Sequence, residues 1–160
     1  NFTMHHWDDK IKGLKEIARV LKPGARFVSL SFTPEQMHGY WLFHYFPEMM
    51  ERSTALLPGV DVVEQWLYEA GFNLVETEKY FVQDDLQDQF LYANKHKPEN
   101  YLVSEVRNGA SSFTVFANPK EVAAGLIQLS HDIETGEIND IIARYENDEG
   151  DYLFYVAERE

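Results

Sequence analysis

A ten-residue stretch rich in aromatic side chains and histidine, MHGYWLFHYF at 37–46, carries the groups best suited to chemistry. An imidazole can act as a general base, and aromatic rings can form the walls of a pocket for a small molecule. The same pattern is typical of an amphipathic helix packed into a core. Because the rings cover more than one face of such a helix, some should face a cavity. The predicted substrate-binding residues are His38, Tyr40, Trp41, His44 and Tyr45. The general base is left open, with His44 as its candidate.

A second polar group precedes the first helical pattern of the chain. It comprises Thr3, Met4, His5, His6 and Trp7. Open α/β sheets bind their ligands in the crevice at the carboxyl ends of the strands, and a loop in this place would line that crevice. Adjacent histidine side chains generally point apart, so a metal site built on both histidines is not expected. The alternative is a loop with one packed aromatic ring and exposed histidines.

The remaining motifs exclude several reaction classes. The sequence has no Gly-x-Ser-x-Gly, phosphate-loop or His-Glu-x-x-His pattern, so hydrolase, kinase and metalloprotease activities are not predicted. The lack of cysteine excludes disulfides, thiolate nucleophiles and cysteine zinc sites. The acidic runs DDLQD and ENDEGD lack the ligand spacing of a calcium loop. His96 and His131 are predicted to be surface groups, and no metal site is expected.

Composition favours a globular protein that acts on a small molecule. Of the 160 residues, 44% are hydrophobic, which is enough for a domain with its own core. The net charge of −13 disfavours nucleic acid and acidic membrane surfaces, because both are bound through clustered Lys and Arg. No apolar run suggests a transmembrane helix or a signal peptide. The absence of cysteine is compatible with a reducing compartment, so a cytoplasmic location is expected.

Hydrophobic periodicity and capping residues predict an alternation of helices and strands. Asp8 or Asp9 can begin the first helix, and Asn118 with Glu121 predicts a capping box in which the Glu121 carboxylate reaches back to the cap. This order of elements is typical of a layered α/β fold. The predicted elements are, in order, a helix to about 22, a strand at 27–32, a helical stretch at 35–57 divided at Pro47, a helix at 61–70, a strand at 72–82, a helix at 84–94, helices from 118 and at 138–145, and a final strand.

The turn between the first helix and the first strand carries a specific motif. RVLKPG at 19–24 ends the helix and re-enters the sheet at once, because Pro stops a helix and Gly allows a positive φ. Together with the preceding HHWDD, the motif resembles the second half of class I S-adenosylmethionine-dependent methyltransferases of the methyltransferase type 11 kind. In that family a second Gly usually stands where this chain has Ala25. The stretch at 62–81 resembles the family's helix and sixth strand, and 150–157 resembles its seventh strand.

The resemblance implies an α/β fold that contains the C-terminal part of a Rossmann-like methyltransferase sheet. The strands would be five, seven and six in family order, with the last strand antiparallel between the other two. The partial core would comprise 1–33, 59–83 and 149–160. A large helical lid insertion, or acceptor region, would comprise 34–58 and 84–148.

The resemblance also implies S-adenosyl-L-methionine as cofactor and methyl transfer to a small-molecule acceptor. The loop formed by Thr3, Met4, His5, His6 and Trp7 would bind the methionine end of the cofactor. The family's Gly-x-Gly loop does not occur in this sequence, so we expect a fragment that lacks the main cradle and is inactive alone. The alternative is a non-catalytic fragment or a helical protein-interaction module. In either case the first strand would lack a neighbour, and self-association through that exposed sheet edge is expected.

Overall fold

The computed structural model describes Met4 and residues 7–160. These residues form eight α-helices and three strands, together with a 3₁₀-helix at Pro98–Leu102 and a π-helical turn at Ser112–Phe116. The α-helices and strands are α1 Lys10–Val20, β1 Arg26–Ser31, α2 Pro34–His38, α3 Leu42–Tyr45, α4 Pro47–Thr54, α5 Val60–Glu69, β2 Phe72–Tyr80, α6 Ser104–Asn108, α7 Pro119–Thr135, α8 Ile138–Tyr145 and β3 Tyr152–Arg159. The mixed helix and sheet content predicted from the sequence is confirmed.

The described chain divides into two compact units. The sheet unit comprises 1–34, 57–80 and 152–160, and the helical unit comprises 35–56 and 81–151. None of the helices in the part of the chain that the structure describes is long and apolar enough to cross a membrane.

The sheet unit contains a three-stranded antiparallel sheet in the order β1-β3-β2. β3 pairs with both neighbours, so that Val156 lies opposite Val28 on one side and Glu76 on the other. Side chains alternate across a strand, and Leu153, Tyr155 and Ala157 of β3 belong to the buried cluster that also contains residues of α1 and α5. Among the described residues, β1 pairs with β3 only and is an edge strand.

Local signals set the beginning and end of α1. The Asp9 carboxylate accepts a hydrogen bond from the Lys12 amide at 2.8 Å, as predicted for a helix cap. Gly24 follows with a φ of 75°, and its amide donates to the carbonyl of Arg159 at 2.8 Å. The Pro-Gly turn therefore leads directly into β1, because a residue without a side chain can adopt this positive φ at little cost.

The helical unit is built around buried aromatic rings. Trp41 lies edge-on to Tyr101 with ring centroids 5.4 Å apart and edge-on to Tyr45 at 6.0 Å. The predicted helical stretch at 35–57 is confirmed in part, because it consists of three short helices rather than two. The additional break lies at 39–41, before α3, and the expected break at Pro47 separates α3 from α4.

Residues 84–94 do not form the predicted helix. They contain isolated turns, and their conformation is fixed by polar side chains instead. The Asn94 amide donates to the Gln89 side chain at 2.9 Å, and the Asn100 amide donates to Asn94 at 2.7 Å. The prediction was wrong because hydrogen bonds between side chains five and six positions apart compete with the helical ladder and leave no periodic pattern in the sequence.

Glu121 also differs from the prediction. Asn118 caps α7 by accepting from the Lys120 amide at 2.9 Å, but the Glu121 carboxylate does not reach back to that cap. It accepts instead from the amides of Glu48 at 2.5 Å and Met49 at 3.2 Å. These amides lie in the first turn of α4, where a backbone N–H has no acceptor within the helix. A carboxylate is stabilising at a helix N-terminus, so Glu121 joins the two helices.

Gly125 allows α7 to approach α3 closely. A Cβ atom at this position would lie 2.6 Å from a ring carbon of Phe46 and would also clash with the backbone carbonyl of Tyr45. The packing of α7 against α3 therefore depends on the missing side chain.

The substitution Gly125→Ala tests this close approach. In a helix without steric conflict, Ala would raise the free energy of unfolding by about 1 kcal/mol relative to Gly. We expect the opposite sign here, a loss of about 1–2 kcal/mol, since the added methyl group overpacks the site. Urea unfolding followed by circular dichroism measures the change. Ala124→Gly, at the neighbouring exposed position, measures the difference in helix propensity between Ala and Gly without a packing effect. A stabilised Gly125→Ala variant would contradict the packing.

The substitution Glu121→Ala tests the cap on α4. Removing the carboxylate leaves the two amides of α4 without their side-chain acceptor, and we expect the free energy of unfolding to fall by about 1–2 kcal/mol. Glu134→Ala, an exposed position on the same helix, is the matched control and should change stability by less than about 0.5 kcal/mol. Equal effects of the two substitutions in urea titrations would argue against a capping role.

Candidate functional site

A cavity of about 420 Å³ lies within the helical unit. Pockets for small molecules fall in the range of roughly 300–1,000 Å³, so this volume suits a compact ligand. Its walls combine four aromatic side chains with one lysine and one buried aspartate. These six lining residues are Trp41, Phe81, Tyr92, Tyr145, Lys95 and Asp151.

Lys95 and Asp151 form an ion pair at the wall of this cavity. The Lys95 ammonium donates to Oδ2 of Asp151, and the Val82 amide donates to the same oxygen at 2.7 Å. The Lys95 side chain is 17% exposed and the Asp151 side chain 9% exposed. Burying two charges costs several kcal/mol per ion unless they are paired and hydrogen-bonded, and here the partners meet that requirement. The ammonium also lies 5.9 Å from the ring centroids of Phe81 and Tyr92.

Two adjacent aromatic residues hold the backbone of this ion pair. The Tyr40 hydroxyl donates to the carbonyl of Asp151, and the Trp41 indole donates to the carbonyl of Lys95 at 3.1 Å. The Tyr40 ring is stacked on Tyr92 with centroids 3.6 Å apart. Tyr40 and Trp41, which belong to the predicted pocket stretch, thus hold the backbone of both charged residues, although they are distant from them in sequence.

Burial keeps the two nearby phenols in their neutral form. It raises the pKa of Tyr92 far above its ordinary value of 10, although the amide of Trp41, which donates to the phenolic oxygen at 3.3 Å, acts in the opposite direction. Burial also raises the pKa of Tyr45, and the hydrogen bond to the Asp132 carboxylate, at 2.9 Å, adds to that shift. Both hydroxyls therefore stay protonated over the physiological pH range and act as hydrogen-bonding groups, not as bases.

The five predicted substrate-binding residues do not come together in one place. Trp41 lines the cavity, and Tyr40 supports it through Tyr92 and Asp151. His38 is exposed and stacked on Phe43, with centroids 5.0 Å apart. Tyr45 and the half-buried His44 lie at contacts with α7, where Nε2 of His44 is 3.0 Å from the Gln128 side-chain nitrogen. No finding tests whether His44 acts as a base, so that assignment stays a prediction.

The predicted cofactor loop is described only at Met4 and Trp7, and Thr3, His5 and His6 lie outside the described residues. Met4 is buried in the core of the sheet unit, and the half-buried Trp7 packs against that core. The Trp7 carbonyl accepts from the ammonium of Lys10. No finding tests whether these two residues bind a cofactor, so that assignment stays a prediction.

Apart from Trp41, the lining residues of the cavity were not among the predicted substrate-binding residues, and the charged pair is the most important omission. Lys95 and Asp151 are 56 positions apart, and no local pattern links them. His96 is exposed, as predicted for a surface group, and it also lies at the rim of the cavity, with Nε2 3.1 Å from the carbonyl of Val82. The one available signal was the placement of an aspartate directly after Gly150, in a turn that precedes the last strand. Among the described residues, no group of His, Asp and Glu side chains could hold a metal ion.

Comparison with known proteins gives two informative matches, although no family model matches the chain. The ubiquinone/menaquinone biosynthesis C-methyltransferase UbiE of Pasteurella multocida (strain Pm70) is 28% identical over an alignment of 94 residues, which covers 47% of this chain and 35% of that protein. The crystal structure of a putative methyltransferase from an antibiotic biosynthesis pathway of Anabaena variabilis ATCC 29413 matches with a TM-score of 0.80 and 30% identity.

The structural match covers 98% of this chain and 63% of the Anabaena protein. The chain therefore spans about a third of the curated relative and less than two thirds of the solved structure. Both relatives carry the name of a methyltransferase, and the sequence motifs pointed to the same class independently of them. In sequence and in fold, the chain is similar to methyltransferases, in agreement with the resemblance to the class I S-adenosylmethionine-dependent family.

Proposed function

We propose that the protein containing this chain transfers a methyl group from S-adenosyl-L-methionine to a small-molecule acceptor, and that these 160 residues form the C-terminal part of the enzyme. The observation that supports this proposal most directly is the match over 98% of the chain to a methyltransferase of known structure. In this proposal β1, β3 and β2 correspond to the family's strands five, seven and six, and the helical unit serves as the acceptor lid.

The chain does not contain a complete cradle for the cofactor. No Gly-x-Gly spacing occurs in the sequence, and the two described members of the predicted cofactor loop pack into the core. S-adenosyl-L-methionine carries a methyl group that is already activated by its sulfonium, so the protein's contribution is mainly proximity and alignment. The residues of this chain would contribute the acceptor side of that alignment.

The acceptor is proposed to bind in the cavity of the helical unit. Trp41 is the member of the predicted substrate-binding set that lines this cavity, and Tyr40 supports its wall. His38, His44 and Tyr45 remain candidates on other faces of the same unit. A small molecule is favoured over nucleic acid or a membrane surface as partner, because the chain carries a net charge of −13.

Titration with S-adenosyl-L-methionine tests whether cofactor binding requires a part of the enzyme outside this chain. By calorimetry, we expect no measurable binding to the 160-residue chain. We expect micromolar binding to a chimaera in which the part of the Anabaena protein that precedes the matched segment is joined to Asn1. The reason is that the added part would supply the glycine loop required for close backbone approach to the cofactor.

Two results would contradict the proposal. Micromolar binding to the isolated chain would show that the cradle is complete without a preceding segment. If a chimaera unfolds cooperatively but fails to bind the cofactor, the chain is not part of a methyltransferase of this kind. Cooperative unfolding is checked by circular dichroism, so that a misfolded chimaera is not counted as evidence.

The edge position of β1 favours a second behaviour, self-association of the isolated chain. An unpaired strand edge can pair with a second copy, and a charged side chain on the edge opposes this pairing. We expect light scattering to show dimers or larger species, and Val28→Lys on β1 to reduce their fraction. Val75→Lys on β2, the other outer strand of the described sheet, distinguishes the two edges, because the two valines are 47% and 48% exposed. A monomeric parent chain, or an equal response of both variants, would count against pairing through β1.

A further inference from the structure

We propose that the Lys95–Asp151 pair recognises the hydroxyl group of a neutral aromatic ligand, a phenol, bound in the cavity of the helical unit. The proposal rests on the proposed function only in taking this ligand to be the methyl acceptor. The binding itself requires no cofactor, and every residue invoked lies within the helical unit.

The first argument is the unused hydrogen-bonding capacity of the pair. Oδ2 of Asp151 accepts from both Lys95 and Val82, whereas Oδ1 has no hydrogen-bond partner within the described part of the chain. An ammonium has three donors, and among the described residues one of those of Lys95 is used. The pair therefore offers one free acceptor and free donors side by side at the cavity wall.

A hydroxyl group is complementary to that arrangement. Its proton can be donated to a carboxylate oxygen while its own oxygen accepts from an ammonium, so one atom satisfies both charged partners. A methyl ether of the same shape can accept from Lys95 but has nothing to donate to Asp151. Since a buried acceptor left unpaired is costly, the site should discriminate strongly between the two.

The charges of the cavity favour a neutral ligand. Lys95 and Asp151 cancel each other, and Glu146 and Asp148 add negative charge to the lining. A carboxylate ligand would meet these acidic side chains, while an ammonium ligand would compete with Lys95 for Asp151. A phenolic hydroxyl avoids both conflicts.

The walls of the cavity favour an aromatic body for this ligand. Phe81 is 43% exposed, and Tyr145 is half-buried, so both present ring surface to the cavity. Aromatic rings associate favourably in offset-stacked or edge-to-face arrangements. A cavity of about 420 Å³ holds a substituted single ring with room for a few waters.

Ligand-observed NMR with four simple probes on the 160-residue chain tests the inference. The probes are phenol, anisole, benzoate and benzylamine, which share a ring and differ in the polar group. We expect phenol to bind about tenfold or more tightly than anisole, because only phenol can donate to Asp151. Tighter binding of benzoate or benzylamine than of phenol, equal binding of phenol and anisole, or no binding of any probe would overturn the proposal.

A charge-neutral double variant assigns the preference to the pair itself. In Lys95→Met combined with Asp151→Asn, the side chains keep their approximate size and no buried charge is left alone. We expect the ratio of phenol to anisole affinity to fall to about one, while Lys120→Met, at an exposed lysine of α7 that does not line the cavity, keeps the ratio of the parent chain. An unchanged ratio in the folded double variant would falsify the role of the pair.

The outcome does not depend on the cofactor experiment. If the double variant fails to fold, the comparison of phenol with anisole on the parent chain still decides the question. Equal binding of phenol and anisole, together with intact cofactor binding by the chimaera, would reject the phenol site and leave the methyltransferase proposal in place. A retained preference for phenol, together with no cofactor binding by a folded chimaera, would reject the methyltransferase proposal and leave a phenol-binding site.

Discussion

The buried pair of Lys95 and Asp151 imposes a constraint on the whole helical unit. Two charges removed from water cost several kcal/mol each, and their attraction offsets that cost only where further hydrogen bonds complete the arrangement. The amide of Val82 supplies one such bond directly. Tyr40 and Trp41 do not bind the charged groups themselves, but they hold the backbone carbonyls of the same two residues in place. The aromatic stretch therefore determines where the charges lie, and the charges determine where the cavity has polar walls.

This dependence explains why a long part of the helical unit has so little regular structure. The chain between 84 and 97 must deliver Lys95 to the cavity while its own polar groups remain satisfied. Asn94 links Gln89 and Asn100, and the Lys97 ammonium donates to the carbonyl of Asp84 at 2.6 Å. Hydrogen bonds made by side chains thus fix this segment in place of the backbone hydrogen bonds of a helix. The acidic residues of the segment remain exposed to solvent.

Local information was sufficient at several helix ends, where a capping residue or a glycine acts within its own turn. The cap of α1 at Asp9 and the bounds of α8 agree with the predictions, and Gly136 ends α7 with a φ of 83°. Prediction from sequence failed where the partner is distant. The carboxylate of Glu121 is placed correctly for a capping box, but α4 offers it free amide donors, and those amides took precedence over the local cap. The site shows the same division, since Tyr40 and Trp41 belong to a recognisable pattern whereas Lys95 and Asp151 do not.

The presence of a charged pair at this position is itself an argument for binding. Replacing a buried ion pair by apolar side chains of similar volume is often neutral or stabilising, so stability does not require Lys95 and Asp151. Oδ1 of Asp151 has no hydrogen-bond partner among the described residues, and it is not one of the buried polar atoms that lack a partner. This oxygen is therefore accessible from outside, and Asp151 lines the cavity. An acceptor left open at the wall of an aromatic cavity is better explained by a partner that arrives from outside, and the adjacent ammonium restricts that partner to a group that both donates and accepts.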